Sequence, residues 1–202
     1  NGIFKDEIVP VEITSKKGTT VVDKDEHFRP NLTMEDLAKL PPAFIPKSGT
    51  VTAGNSSGIN DGAAAMIIMS KEKADQLGLK PLAKITGFGM GGCPPELMGI
   101  SPVPAVKNLL ERTKYKLEDF ERVEVNEAFA SQYLACEKEL GLNREITNVN
   151  GSGIGLGHPV GCTGTRIIVT LLYELIHSNK KLGMATLCGG GGVSIATAIE
   201  KL

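Results

Sequence analysis

From Ala63 onward the spacing of apolar and polar positions changes repeatedly, which predicts alternating strands and helices. The unbroken apolar run Ala63 to Met69 predicts a buried strand, Ser70 caps a helix over Lys71 to Gly78, and Ala83 to Phe88 predicts a second strand. Pro102 to Thr113 reads as a helix. Arg122 to Val125 reads as a strand running into Asn126-Glu127-Ala128-Phe129, with a helix behind it to Leu140. Ile167, Ile168, Leu171, Leu172, Leu175 and Ile176 recur at helical spacing on one face and mark a buried helix. Gly183 to Cys188 and Val193 to Ile199 read as two closing strands joined by four glycines. The pattern is that of a layered α/β domain.

Residues 1 to 58 have a different texture, polar and rich in loops. An extended segment is expected near Glu7 to Ile13, a turn at Lys16-Lys17-Gly18, and charged loop through Arg29. Thr33 caps a short helix through Leu40 with Asp36 as its box-like partner, and Pro41-Pro42 ends it. Gly49 to Gly62 (GTVTAGNSSGINDG) supplies turns. The expected organisation is an appendage over residues 1–58 and a domain over residues 59–202.

Composition narrows the function classes. A chain of 202 residues with 41% hydrophobic content can bury a real core. A net charge of −1 and the absence of any long basic run argue against nucleic acid or an anionic membrane as partner, and for small-molecule chemistry. The longest apolar stretches fall well short of the ~20 residues that cross a bilayer, and no signal peptide opens the chain, so a soluble, cytoplasmic protein is expected. Four scattered cysteines (Cys93, Cys136, Cys162, Cys188) without a Cys-x-x-Cys pair suit a reducing compartment. The opening Asn1-Gly2-Ile3, with no methionine, predicts a chain that begins inside a longer protein.

Several chemical motifs fail on physical grounds. Gly87-Phe88-Gly89-Met90-Gly91-Gly92 matches a dinucleotide fingerprint, but Pro94 and Pro95 stand where its helix should begin. Gly151 to Gly157 departs from that fingerprint at Leu156, and no Gly-Lys-Ser/Thr is present for a phosphate loop. A structural zinc site wants four ligands in short paired spacings, which are lacking. Cys136 lies on the apolar face of a helix, and Cys93 and Cys162 in Gly/Pro-rich loops read as structural. His27 in a charged loop and His177 at a polar helix end read as solvated.

His158 and Cys188 differ from these. His158 sits in Gly157 to Gly161 (GHPVG), where proline fixes the backbone and glycine removes crowding, so the imidazole can project into a cavity. Cys188 opens the run Cys188 to Gly192, where backbone N–H groups are available as oxyanion donors. A thiol and an imidazole in such settings point to acyl transfer on thioesters.

Asn126-Glu127-Ala128-Phe129, the GHPVG loop, Cys188 with its glycines, and Thr52 to Gly62 (TAGNSSGINDG), in this order, resemble the thiolases, specifically those of the acetyl-CoA acetyltransferase type. The resemblance covers the whole chain but only the later part of a thiolase: some of the loop domain, then the layered α-β-α C-terminal domain with its mixed sheet. It implies that the acylated cysteine lies in an earlier half absent from this chain. It further implies that His158 draws the proton from that cysteine and that Cys188 is acid and base at the α-carbon. By the same resemblance, His158 and a water held by Asn126 receive the enolate oxygen, and the Gly190 N–H serves the tetrahedral intermediate. Ser57, Ala53 and Phe44 would line the pantetheine arm, Arg29 the adenine end, and Met98, Ala128 and Phe129 the acyl pocket. Departures stand at Asn150 to Gly153, Ser101 and Thr165.

The expected reaction is interconversion of two acetyl-CoA with acetoacetyl-CoA and CoA, without metal or cofactor, in a dimer or tetramer. The alternative is a non-catalytic CoA-binding or assembly subunit, which would have no use for His158, Cys188 and Asn126 together.

Overall fold

In the computed structural model, which describes residues 1–202, the first part of the chain contributes no strand to the main sheet. A 3-10 turn spans Ile3–Asp6, and β1 (Val11–Ser15) pairs antiparallel with β2 (Gly18–Val22) in a hairpin whose strands are exposed throughout. α1 (Met34–Ala38) starts at the expected capping box: Asp36 N–H donates to the Thr33 hydroxyl at 3.2 Å, and Thr33 N–H donates to the Asp36 carboxylate at 3.3 Å.

The run Ala63 to Met69 is not a buried strand. It has no regular structure and joins neither sheet, with Ile67 88% and Ile68 67% exposed. An apolar run forms a strand only where neighbouring strands take up its backbone N–H and C=O groups, and none lies beside it. α2 (Lys71–Gln76) follows, capped by Ser70, whose hydroxyl accepts from Lys73 N–H at 3.2 Å.

The remaining elements build one packed unit. They are β3 (Ala83–Gly92), α3 (Pro102–Thr113), β4 (Arg122–Val125), α4 (Ala130–Leu140), the single turn α5 (Gly153–Leu156), α6 (Thr163–His177), β5 (Leu182–Cys188) and β6 (Val193–Lys201). The strands form a mixed sheet in the order β3-β6-β5-β4, with β4 and β5 parallel and the other pairs antiparallel. Thr147 bridges to Val123 outside β4.

Alternation along each strand splits the core into two. Ala105, Val106 and Leu109 of α3 meet Val123, Val125, Met184, Ala196 and Ala198 on one face. Ile167, Leu171 and Leu175 of α6 meet Ala185 and Ile199 on the other. Each buried Val, Leu, Ile or Met among these is worth about 1.5–3 kcal/mol, enough to fix which face each helix covers. Gly89 lies where β3 and α3 come closest, and a Cβ there would collide with the backbone at Leu109 and Ala105. The rejected dinucleotide motif is therefore a strand–helix contact.

Glu124 is a charged residue wholly buried in this interior, and the terminal guanidinium nitrogens of Arg166 are buried as well. Glu124 is 1% exposed and alternates with Val123 and Val125, so it faces the α6 layer, where Arg166 is its nearest countercharge. Burial pushes its pKa from 4.5 up to about 8 against the opposing pull of Arg166.

Candidate active site

The parallel strands β4 and β5 end side by side. Val125 pairs with Thr186, and Asn126 N–H continues the ladder to the Thr186 carbonyl at 3.0 Å. Asn126 and Cys188 are thereby delivered to the same carboxyl-terminal edge of the sheet. The Asn148 side chain completes the outer side of β4, accepting from Val125 N–H and donating to the Val125 carbonyl, each at 2.8 Å. Asn126 is fully buried, and its Oδ1, which lies beside Gly153, has no protein donor and is an unpaired buried acceptor.

The GHPVG loop brings His158 to this edge. Gly157 has φ +97°, open to glycine but strained for other residues, and its missing side chain makes room for Asn60. His158 N–H is shared between the Gly58 carbonyl and Asn60 Oδ1, both at 3.2 Å. His158 Nδ1 lies 2.7 Å from the hydroxyl of Thr163, the first residue of α6, and that hydroxyl donates to the Pro159 carbonyl at 2.9 Å. With its own proton committed, the hydroxyl accepts from Nδ1–H, and this network assigns the proton to Nδ1. His158 Nε2 then carries a lone pair, 3.4 Å from Asn126 Nδ2. Burial, and next the positive charge of Arg166, hold the His158 pKa below 6.5. The imidazole is a neutral base at neutral pH.

Cys188 closes β5 at a pinned hairpin. Gly189 N–H donates to the Val193 carbonyl at 2.8 Å, the Ser194 hydroxyl to the Leu187 carbonyl at 2.6 Å, and the buried Ser101 hydroxyl to the Val193 carbonyl at 3.1 Å. A side chain at Gly190 would meet nothing within 4 Å, so this peptide borders open space. Burial pushes the Cys188 thiol above 9.0, so it rests protonated, a proton donor rather than a ready nucleophile. Cys136 is fully buried with its pKa pushed up to about 11 by burial, which suits a packing role. Half-buried Cys93 donates to the Leu97 carbonyl at 3.2 Å, and Cys162 is half-buried before α6.

The other expected residues divide into two groups. Ser57 N–H donates to the Ala128 carbonyl at 2.9 Å, which ties the Thr52 to Gly62 loop to the segment after β4. Phe44 packs edge-to-face on Phe129 with centroids 6.0 Å apart, and Phe129 and Met98 line one cleft of about 310 Å³ together with Leu97 and Gln132. Arg29 and Ala53 are exposed, and no hydrogen bond or ion pair joins them to His158, Asn126 or Cys188. His177 is exposed, as expected, and bonds Asp6 at 2.9 Å, whereas His27, also expected to be solvated, is half-buried against Gly58.

Thr163 and Asn60 are site residues that the sequence did not reveal. The available signal was a hydroxyl five positions after His158, at a helix start, and an asparagine within the turn-rich loop.

Two family descriptions match: Thiolase, C-terminal domain over residues 79–201, and Thiolase, N-terminal domain over residues 1–72. The acetyl-CoA acetyltransferase of Chromobacterium violaceum is 53% identical over 201 residues, covering 99% of this chain and 51% of that protein. That of Escherichia coli K12 is 52% identical over 202 residues, covering 100% of this chain and 51% of that protein. The crystal structure of the Bacillus anthracis acetyl-CoA acetyltransferase superposes with a TM-score of 0.96 at 54% identity, covering 100% of this chain and 51% of that one. Human mitochondrial 3-ketoacyl-CoA thiolase in complex with CoA gives a TM-score of 0.93 at 48% identity, covering 100% of this chain and 50% of that one. The chain spans about half the length of the curated relatives it matches. With both family descriptions fitting and the whole chain superposing on these structures, the chain belongs to the thiolase family.

Proposed function

We propose that this chain is the later half of an acetyl-CoA C-acetyltransferase that interconverts two acetyl-CoA with acetoacetyl-CoA and CoA. The observation that carries this reading is the pairing of a neutral imidazole whose Nε2 carries a lone pair and a protonated thiol at one sheet edge. His158 Nε2 takes the proton of a nucleophilic cysteine supplied by the earlier half; the thiolate attacks the C3 ketone of acetoacetyl-CoA in thiolysis, breaking the C2–C3 bond, or the thioester carbonyl of acetyl-CoA in condensation, where CoA is the leaving group. In thiolysis Cys188 gives its proton to the carbanion that leaves as acetyl-CoA and regains one from the incoming CoA, whose thiolate takes the acyl group; in condensation Cys188 first gives its proton to the departing CoA thiolate, and its own thiolate then removes a proton from the methyl carbon. Imidazolium Nε2–H and a water held at Asn126 Oδ1 receive the enolate oxygen, and the open Gly190 N–H receives the tetrahedral oxyanion. The acyl group fits the cleft between Met98 and Phe129, with Ala128 beside it, the pantetheine arm passes Ser57, Ala53 and Phe44, and Arg29 takes the adenine end. No group of three His, Cys, Asp or Glu is placed to hold a metal, and none is called for in these steps.

The complete protein is proposed to be cytoplasmic and a dimer or tetramer. No helix is long and apolar enough to cross a membrane.

The test is loss of acetoacetyl-CoA absorbance with CoA added, for this chain alone and then mixed with the earlier half. We expect no turnover from the chain alone and recovery on mixing. Full turnover from the chain alone would make Cys93, Cys136 or Cys162 a nucleophile and overturn the mechanism.

A further inference from the structure

We infer that Thr163 is the positioning residue that selects the His158 tautomer and so makes Nε2 the only basic nitrogen facing the substrate. This rests on the reading of His158 as the base. Thr163 is fully buried, and its hydroxyl has two partners within bonding distance, the Pro159 carbonyl at 2.9 Å and His158 Nδ1 at 2.7 Å. A hydroxyl holds one proton. A carbonyl can only accept, so the hydroxyl proton belongs to Pro159 and the oxygen's lone pair to Nδ1–H. The Pro159 carbonyl also accepts from Cys162 N–H at 2.8 Å and Thr163 N–H at 2.9 Å, so the opposite arrangement would leave it bonded but would set the Thr163 oxygen against it as two facing acceptors 2.9 Å apart.

The same two bonds fix the ring in place. Thr163 begins α6, whose Ile167, Leu171 and Leu175 are locked into the core, while Pro159 lies next to His158 itself. The ring orientation is therefore referenced to the α6 layer and not to the loop alone. From the other side, Asn126 Nδ2 at 3.4 Å can donate to Nε2 only while that nitrogen is unprotonated, so both neighbours favour one tautomer. In the proton transfer from the cysteine, Nε2 gains the proton and Nδ1 keeps its own. Thr163 continues to accept, so no proton has to be relayed through the threonine.

The experiment compares Thr163→Val, which keeps shape and removes the acceptor, with Thr163→Ser, which keeps both hydroxyl bonds. Both are made in the protein that contains the whole chain, with circular dichroism to confirm folding. Histidine labelled with 15N reports which imidazole nitrogen of His158 carries the proton, and His158→Asn assigns its signals. The inference predicts Nδ1 protonated in the wild type and in Thr163→Ser, and a shift toward Nε2 protonation in Thr163→Val. It also predicts a fall in kcat of roughly 10- to 100-fold for Thr163→Val with KM little changed, and near-normal kcat for Thr163→Ser. Nδ1 still protonated in Thr163→Val would overturn the inference. A tautomer shift with undiminished kcat would uphold Thr163 as the selector and instead remove His158 from its role as base. Should Thr163→Val fail to fold, Thr163→Ala read by the same labelled histidine decides between the same results.

Discussion

At the residue scale, the site works through two pKa values displaced in opposite directions by the same cause. Burial lowers the His158 value below 6.5 and raises the Cys188 value above 9.0. A base is active when unprotonated, so depression of the histidine pKa extends activity to lower pH. A proton donor is active when protonated, so elevation of the thiol pKa extends thiolysis to higher pH. The profile of kcat/KM for acetoacetyl-CoA thiolysis in the complete protein is therefore expected to have its acidic limb below pH 6.5 and its alkaline limb above pH 9.0. An acidic limb above 6.5 would mean that His158 is stabilised as the cation. His158 and Cys188 were legible in the sequence because each sits in a Gly-rich run, after Gly157 and before Gly189 respectively, where a side chain has little to do structurally. Thr163 was not, since a threonine at a helix start ordinarily serves as a cap, and its partnership with His158 arises from the curvature of the loop between them.

At the element scale, the sheet and its helices were legible wherever one face is apolar and the other polar. α3 and β4 have the expected bounds because Pro102 begins one and the alternation of Arg122 to Val125 fixes the other. Alternation also misleads at one place. Glu124 occupies the polar position of β4, which in a two-layer protein would meet water, yet here α6 covers that face. The consequence can be measured. A carboxyl whose pKa is raised on folding contributes stability that is fully present below the unfolded value and is lost as pH rises through the folded one. For Glu124 that window runs from 4.5 to about 8. Denaturant unfolding should show stability falling across this window by an amount on the order of a few kcal/mol, and Glu124→Gln should remove most of that slope. Parallel curves for the two proteins would show that Arg166 compensates the charge in full.

At the scale of the whole molecule, the order of strands and helices from Ala83 onward followed from periodicity, while the fate of Ala63 to Met69 did not. Its sequence specifies burial without specifying against what. Those residues fall within the stretch matched to the N-terminal thiolase domain, and the sheet formed here lies within the stretch matched to the C-terminal one. Periodicity is a local signal and carries no information about which domain supplies the neighbouring strands. The loop from Thr52 to Gly62 was legible as turns, but not as the bridge to the segment after β4, because the bonds Ser57 to Ala128 and Ala130 to Asn55 connect residues far apart in sequence.

The division of labour between a base that prepares the nucleophile and a thiol that handles the carbon-bound proton is the central claim, and Cys188→Ser separates the two. In the complete protein, treated with labelled acetyl-CoA and weighed by mass spectrometry, the variant should still gain an acyl group, because attack on the thioester needs only the nucleophile and His158. Its thiolysis of acetoacetyl-CoA should fall by roughly 10²- to 10⁴-fold, since serine, with a far higher pKa, cannot exchange the proton at carbon. Undiminished thiolysis, or the absence of any acyl adduct, would contradict the role given to Cys188.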